Sequence, residues 1–222
     1  MQDLNILFED DDMVVVVKPQ GMPTQPDKTG DMDILTQLQQ KTGHEMGLLH
    51  RLDRPVGGVM VFAKTKQAET TIAKDMQQGI WQKYYMAVLC GSIQQKSGVW
   101  IDYLYKNART NLSACVPKDK KGAKKAVLYY DVLEEIEHNG EILSLVKIKL
   151  ETGRHHQIRV QTSERGVPIW GDRKYAKNQY VPKEANIALW SDCLEGVHPI
   201  TKKQITFSYE PTEPPFCFFK NV

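Results

Sequence analysis

The stretch from residue 47 to residue 64 constrains the fold of this chain more than any other. Its apolar run at 59–63 follows two glycines without interruption, which predicts a strand buried on both faces. Ahead of that run lies a charged centre, made of His50, Arg51, Asp53 and Arg54. Because a buried carboxylate without a partner is costly, we expect a rigid loop that presents Asp53 at the mouth of a sheet.

The arginines on either side, Arg51 and Arg54, are the nearest candidate partners for the Asp53 carboxylate. A structural Asp–Arg pair in a turn is the alternative interpretation of these residue types. Pro55 fixes its own backbone, and the glycines at 57 and 58 allow conformations closed to other residues.

Apolar and amphipathic segments elsewhere predict further strands and helices. Strands are predicted at 6–8, 13–17, 81–91, 99–103, 111–116, 126–135, 142–150 and 205–207, and from 189 onward. Helices are predicted between 31 and 43, at 66–78, and between 153 and 165. This number of strands beside few helices favours an α+β fold.

Composition limits the class of protein. The chain has 222 residues, 41% of them hydrophobic, which suits a single domain over residues 1–222. A net charge of +2 neither requires nor excludes a nucleic-acid partner. The polar N-terminus and the lack of an apolar run of about 20 residues argue against secretion and a membrane span. The four isolated cysteines are therefore expected to be reduced thiols in a cytoplasmic protein.

Two later segments carry candidate functional residues. In the strand at 81–91, Lys83 and Tyr85 would point to one face, although a core tyrosine is the alternative interpretation of Tyr85. In the helix after Gly153, His155 and Arg159 are four residues apart and would share a face, whereas adjacent histidines would point apart.

A basic cluster lies between two of the predicted strands. Its five lysines are Lys118, Lys120, Lys121, Lys124 and Lys125. Either a solvated hairpin loop or contact with RNA phosphates accounts for this pattern.

These segments resemble, in order and over nearly the whole chain, the RluA-type pseudouridine synthase family. His50-Arg51-Leu52-Asp53, with the following glycine, strand and Ala63-Lys64, resembles the pattern HRLDxxTSG followed by an apolar strand and AK. Residues 83–87 match K-x-Y-x-A, residues 150–161 resemble L-x-TGR-x-HQIRVH, and residues 166–175 resemble G-x-PI-x-GD-x-x-Y. The opening strand and its Lys-Pro-x-Gly turn also match, without the S4 RNA-binding module that many relatives carry in front, so a short form is expected.

The resemblance implies a central, mostly antiparallel (mixed) sheet with flanking helices and a central cleft. It implies an RNA pseudouridine synthase, an isomerase that acts on specific uridines of rRNA or tRNA. Such an enzyme needs no cofactor and no metal, because nothing is oxidised and no group enters. RNA is the implied partner; a monomer is expected, with no protein partner and no membrane.

The resemblance also assigns roles to residues. Asp53 is the catalytic carboxylate, Tyr85 stacks on the target base, and Arg159 pairs with Asp53. Arg51 helps to extrude the uridine, and His50 orders its loop rather than titrating. The residues expected to contact substrate are Arg51, His50, Arg54, Arg154 and Lys83.

Departures and alternatives accompany this assignment. The chain has Val56-Gly57 where the family usually has Thr-Ser, Gln161 where a second histidine is common, and His155 in place of Ser or Thr. One alternative function is a catalytically inactive RNA-binding protein on the same fold. Another is a metal-dependent hydrolase, for which the candidate ligands, although not at a known ligand spacing, are His44, His50, His155, His156 and Asp53.

Overall fold

The structure is a computed structural model that describes residues 4–176 and 186–221. Within these residues the strands are β1 (Asn5–Glu9), β2 (Met13–Lys18), β3 (Gly47–Leu48), β4 (Gly57–Ala63), β5 (Gln82–Cys90), β6 (Ser97–Asn107), β7 (Leu112–Cys115), β8 (Lys124–His138), β9 (Glu141–Leu150), β10 (Leu189–Val197) and β11 (Gln204–Ser208). The helices are α1 (Ile34–Thr42), α2 (Lys66–Gln77) and α3 (Gln157–Glu164), with a short 3-10 turn at Phe216–Phe218. The predicted α+β class is confirmed.

By its internal contacts the chain divides into two compact units. The first is built from Met1–Lys83 and Trp190–Glu210, and the second from Tyr84–Leu189 and Pro211–Val222. The single domain expected over residues 1–222 stays a prediction.

The first unit is organised around β4, whose seven residues are all buried, as the apolar run predicts. β2 pairs antiparallel with both β1 and β4, whereas β10 runs parallel to β4. β11 pairs antiparallel with β10, and the short β3 pairs with the far end of β4. Helix α2 packs its buried Ala68 and Ile72 against Val59 and Val61 of β4, and this packing forms the core.

In the second unit β8 is the long central strand, paired antiparallel with β6 and β9, while β7 pairs with β6 and β5 lies beside β9. The turn between β8 and β9 is formed by Asn139 and Gly140, which both have positive φ, 53° and 80°. Helix α3 packs on β6 and β7, where Val160 meets Leu104 and Ala126.

Helix ends follow local side-chain chemistry. Asp33 caps α1 by accepting the Thr36 N–H, and the left-handed Gly43 ends that helix. Thr65 caps α2 in the same way, with the left-handed Gly79 just beyond its end, where the sequence predicts a stop. Among the described residues no helix is both long and apolar enough to cross a lipid bilayer.

Candidate active site

The loop that carries Asp53 joins β3 to β4 and is held mainly through its peptide groups. The Thr24 hydroxyl donates to the Leu52 carbonyl at 2.8 Å and accepts the Leu52 N–H at 3.2 Å. The Arg54 carbonyl accepts the Gly21 N–H at 2.9 Å, and the Asp53 carbonyl accepts the Val56 N–H at 2.9 Å. Asp53 itself is half-buried, so a firmly located backbone carries a carboxylate that retains some access to solvent.

Arg54 does not take the partner that the sequence suggests. Its guanidinium donates to the Thr29 hydroxyl at 3.0 Å, pairs with Asp31, and lies 3.8 Å from the Asp27 carboxylate. Arg54, one of the two candidate partners of Asp53, pairs instead with two exposed carboxylates outside the motif. Arg54 and Arg51 both remain exposed.

His50 orders the loop, as expected. Its Nε2 accepts the Val61 N–H of β4 at 3.2 Å, so the proton of the neutral ring lies on Nδ1, which is buried without a partner among the described residues. Burial, with a smaller contribution from the positive charge of Lys83, lowers the pKa of His50 from 6.5 to about 3. The imidazole is therefore neutral at physiological pH. Burial also lowers the pKa of Lys83 itself.

The two glycines at the start of β4 are required by close packing. A Cβ on Gly57 would overlap the ring of Trp190, and one on Gly58, whose φ is 119°, would overlap the backbone of Ser191. A serine at position 57, as in the family pattern, would need the space that the indole fills. The glycine that replaces the usual serine at position 57 therefore leaves room for the indole of Trp190. The Nε1 of that indole donates to the Tyr209 carbonyl at 2.8 Å.

In the second unit Tyr85 lies in β5 and is buried, with 7% of its surface exposed. Its neighbour Tyr84 lies under two lysines of β9, with the Nζ atoms of Lys147 and Lys149 at 5.7 Å and 5.8 Å from its ring centroid. Lys147 and Lys149 are half-buried while their neighbours Val146 and Ile148 are buried, so the two lysines point away from the core.

Arg159 of α3 is buried in a cluster of residues that also contains Asp172, Tyr175, Ser113 and His156, called the Arg159 nest below. Its Nε and Nη2 each donate to a different oxygen of Asp172, both at 2.7 Å. Its guanidinium carbon lies 5.1 Å from the ring centroid of Tyr175. The Tyr175 hydroxyl in turn accepts the Ser113 N–H at 2.9 Å and bonds His156 Nδ1 at 2.7 Å.

The prediction for the two histidines beside this nest, His155 and His156, was wrong. Helix α3 begins at Gln157, after His156 in a left-handed conformation with φ of 55°, so His155 precedes the helix and does not share a helical face with Arg159. The two imidazoles stack at 3.7 Å between centroids instead of pointing apart. Because His156 has a left-handed backbone, a continuous α-helix cannot include it, and the path of the chain before Gln157 differs from a helical one.

Arg154 and Gln161 are tied to the sheet of the same unit. The exposed Arg154 donates from Nε to the Lys125 carbonyl at 2.8 Å, which joins the segment before α3 to the end of the lysine cluster. Gln161 is fully buried, and its Nε2 donates to Asp102 at 2.6 Å. The glutamine therefore has a structural partner where a histidine is common.

The geometry does not favour a metal site made of the candidate ligands. In the described part of the chain the grouping with metal-like spacing is Asp10, Asp12 and His198, which shares no residue with them. His198 Nδ1 accepts two backbone N–H groups, so Nε2 carries the proton that it donates to Asp10 at 2.6 Å. That nitrogen has no lone pair to offer a cation.

Asp172 and Tyr175 are the site residues that sequence reasoning missed. Both belong to the G-x-PI-x-GD-x-x-Y segment. The available signal was Asp172 itself, a carboxylate without an assigned role that lies close in sequence to Arg159. Asp53 belongs to one compact unit, and Tyr85 and Arg159 to the other, so their joint catalytic role stays a prediction.

Comparison with known proteins gives a consistent result. A family model described as RNA pseudouridylate synthase matches residues 12–164. The tRNA pseudouridine synthase C of Haemophilus influenzae is 31% identical over 221 residues, which cover 92% of this chain and 92% of that protein. The ribosomal large subunit pseudouridine synthase D of the same organism is 31% identical over 240 residues, which cover 99% of this chain and 70% of that protein.

Among solved structures, the human RNA pseudouridylate synthase domain containing 1 superposes with a TM-score of 0.77 at 22% identity, over 95% of this chain and 84% of that one. This likeness supports the fold expected from the sequence. With a family model matched over residues 12–164 and two curated relatives similar across at least 92% of the chain, this protein belongs to the RNA pseudouridylate synthase family, an isomerase family, as its motifs predict.

Proposed function

We propose that this enzyme isomerises specific uridines of structured RNA to pseudouridine, with Asp53 as the catalytic carboxylate. The observation that supports this most is the Asp53 loop, in which the peptide groups of Leu52, Asp53 and Arg54 are all hydrogen-bonded while the carboxylate is half-buried. Such a loop holds the residue that carries the reactive group through its peptide groups.

The reaction breaks the N1–C1′ bond of a uridine, rotates the base and forms a C5–C1′ bond. The C5 proton is lost and N1 gains one, so atoms and electrons balance without a cofactor. Asp53 either attacks C1′, as carboxylates do in retaining glycosidases, or removes the C2′ proton to give a glycal. Both routes need the ionised carboxylate.

Tyr85 and Arg159 complete the proposed catalytic group. The flat ring of Tyr85 would hold the base after its bond to the sugar is cut. Asp172 accepts hydrogen bonds from Nε and Nη2 of Arg159, and we propose that the same guanidinium also pairs with Asp53. A guanidinium at that carboxylate favours its ionised form in a site poor in water.

The RNA must deliver an extruded nucleotide, because a stacked uridine cannot reach a half-buried carboxylate. Arg51, exposed two residues before Asp53, would fill the space that the base leaves. The other proposed substrate contacts are His50, Arg54, Arg154 and Lys83.

The lysine cluster is the proposed contact for RNA phosphates. All five of its lysines are exposed, and Lys120 lies 4.7 Å from the ring centroid of Tyr105. Exposed lysines beside an aromatic ring suit a phosphate backbone with nearby bases.

Further proposals concern the target and setting. The relatives named for tRNA and for the large ribosomal subunit are equally identical to this chain, at 31%, so rRNA and tRNA are both proposed substrates. Cys90, Cys115, Cys193 and Cys217 form no disulfide among the described residues, and we propose a reducing, cytoplasmic setting. We propose a monomer.

No observation favours the inactive RNA-binding alternative.

The test is to map pseudouridines, by carbodiimide treatment and reverse transcription, in cells that lack this protein and in cells that regain it. We expect a site that is lost, restored by the wild type, and not restored by Asp53→Asn, which should cost at least about 1,000-fold in rate. Full restoration by Asp53→Asn at equal protein level would refute the proposal. Binding of the purified variant to the same RNA controls for folding and should be largely unchanged.

A further inference from the structure

Lys18, the last residue of β2, has one of the largest fully buried side chains among those described, with no exposed surface. A buried ammonium is costly unless it is hydrogen-bonded and its charge is offset. A lysine kept in such a place needs a physical reason, because methionine would fill a similar volume without that cost.

The hydrogen bonds of Lys18 lead to the Asp53 loop. Its Nζ donates to the carbonyls of Pro19 at 3.0 Å, Met22 at 2.7 Å and Arg54 at 3.2 Å. Three acceptors match the three N–H bonds of an ammonium, whereas a neutral amine has only two to donate. The Arg54 carbonyl belongs to the residue after Asp53, so Lys18 holds the loop on the C-terminal side of the catalytic carboxylate.

The charges around Lys18 point to the same residue. Burial lowers the pKa of Lys18 from 10.5 to about 7, with the negative charge of Asp53 opposing this shift and the positive charge of Arg54 adding to it. The Arg54 side chain is itself paired with Asp27 and Asp31. The negative charge of Asp53 therefore favours the charged form of the buried Lys18 ammonium.

We propose that Lys18 is a positioning residue for Asp53, which fixes the peptide after it and supplies the buried positive charge that favours the ionised carboxylate. This inference rests on the proposed function of Asp53. It assigns a role in the chemistry to the Lys-Pro-x-Gly turn, which the sequence analysis gives only as a match to the opening of the family pattern.

The first experiment compares pH–rate profiles of wild type, Lys18→Met and Lys18→Arg on an RNA that carries the mapped site. For Lys18→Met we expect kcat to fall by about 10- to 100-fold with KM within about threefold, because the carboxylate is misplaced after the RNA is bound. We expect the acid limb of kcat/KM to move up by about half a pH unit or more, and Lys18→Arg to return it toward wild type.

Val16→Ala is the matched control for loss of stability. Val16 lies two residues earlier in β2, is fully buried and pairs with Met60 of β4, so its truncation weakens the same strand and leaves Lys18 in place. It should lower the melting temperature without moving the acid limb. An acid limb in Lys18→Met identical to that of the wild type would overturn the proposal.

A second measurement decides the matter if Lys18→Met does not fold. The side-chain signal of Lys18, followed by NMR against pH in selectively labelled protein, should titrate at lower pH in Asp53→Asn than in wild type, because the opposing negative charge is gone. Identical titrations would overturn the proposal. This readout needs no turnover, so it separates a failure of the Lys18 inference from a failure of the catalytic assignment of Asp53.

Discussion

The Asp53 loop and the Arg159 nest hold oppositely charged groups by different means. The loop is held through the peptide groups of Leu52 and Arg54, which are bonded to the segment 18–24, and by the bond from the Val56 N–H to the Asp53 carbonyl. Arg159 is held by its own side chain, with both oxygens of Asp172 on one edge and the ring of Tyr175 beside it.

The difference follows from what each group has to do. The proposed reaction uses the carboxylate oxygens of Asp53, and hydrogen bonds of the neighbouring peptide groups hold that residue in place. An arginine that contributes charge keeps that charge while its N–H groups are bonded. Side-chain deletions should therefore damage the Arg159 nest most, whereas steric changes of the backbone surroundings should damage the Asp53 loop most.

The largest effect is expected for Asp172→Asn. The guanidinium of Arg159 would remain buried without its anion, so the free energy of unfolding should fall by about 3–5 kcal/mol. Chemical denaturation measures this loss. Asp131→Asn, an exposed carboxylate of β8 in the same unit, is the control and should change stability by less than about 0.5 kcal/mol. Equal effects of the two substitutions would show that the nest is not held by Asp172.

Gly57→Ser comes next and tests the Asp53 loop. The new side chain would overlap the indole of Trp190, so we expect a loss of about 1–3 kcal/mol by urea unfolding, together with slower pseudouridine formation. Trp190→Leu in the same chain should recover part of the loss. A double-mutant cycle in which the two changes simply add would contradict the packing conflict.

His156 offers a smaller effect that depends on pH. Burial, and then the positive charge of Arg159, lower the pKa of His156 from 6.5 to about 3. Between these values the unfolded chain binds the proton that the folded chain excludes, so the stability from the neutral ring is present above pH 6.5 and is lost as the pH falls toward 3. We expect the drop in unfolding free energy from pH 7 to pH 5 to shrink by about 1–2 kcal/mol in His156→Asn.

Asparagine is chosen because it tolerates the left-handed backbone of position 156. His44→Asn, at an exposed histidine, is the control and should leave the pH dependence as in wild type. If the unfolding free energy of His156→Asn falls between pH 7 and pH 5 as much as that of the wild type, the surroundings of His156 do not keep its ring neutral.

The lysine cluster should show the smallest effect on stability and a clear effect on binding. Replacing Lys120, Lys121, Lys124 and Lys125 by glutamine should leave the unfolding free energy within about 0.5 kcal/mol. The slope of log affinity against log salt should flatten by nearly one for each phosphate that the protein no longer neutralises. The control changes four exposed lysines of the other unit, which are Lys28, Lys41, Lys66 and Lys74. Equal slopes in the two variants would show that the cluster is a solvated loop that does not contact RNA phosphates.

Much of the fold could be predicted because strands and helices follow local patterns. The apolar run of β4, the alternation in β9 and the capping residues of α1 and α2 are properties of neighbouring residues. The start of α3 could not be predicted, because a left-handed His156 is stabilised by Tyr175, which lies 19 residues later. The partners of Arg54 could not be predicted for a similar reason, since Asp27 and Asp31 are more than 20 residues away from it along the chain.

The sequence by itself determined the family, the α+β class and the positions of the motifs, because these depend on residue types in order along the chain. Only the tertiary structure decided which groups meet: Lys18 with the Arg54 carbonyl, Gly57 with Trp190, and Arg159 with Asp172. Each of these contacts joins segments brought together by packing, and the cost of burying charge or of overlapping atoms selects the partner. Neither cost can be evaluated until the distances between segments are known.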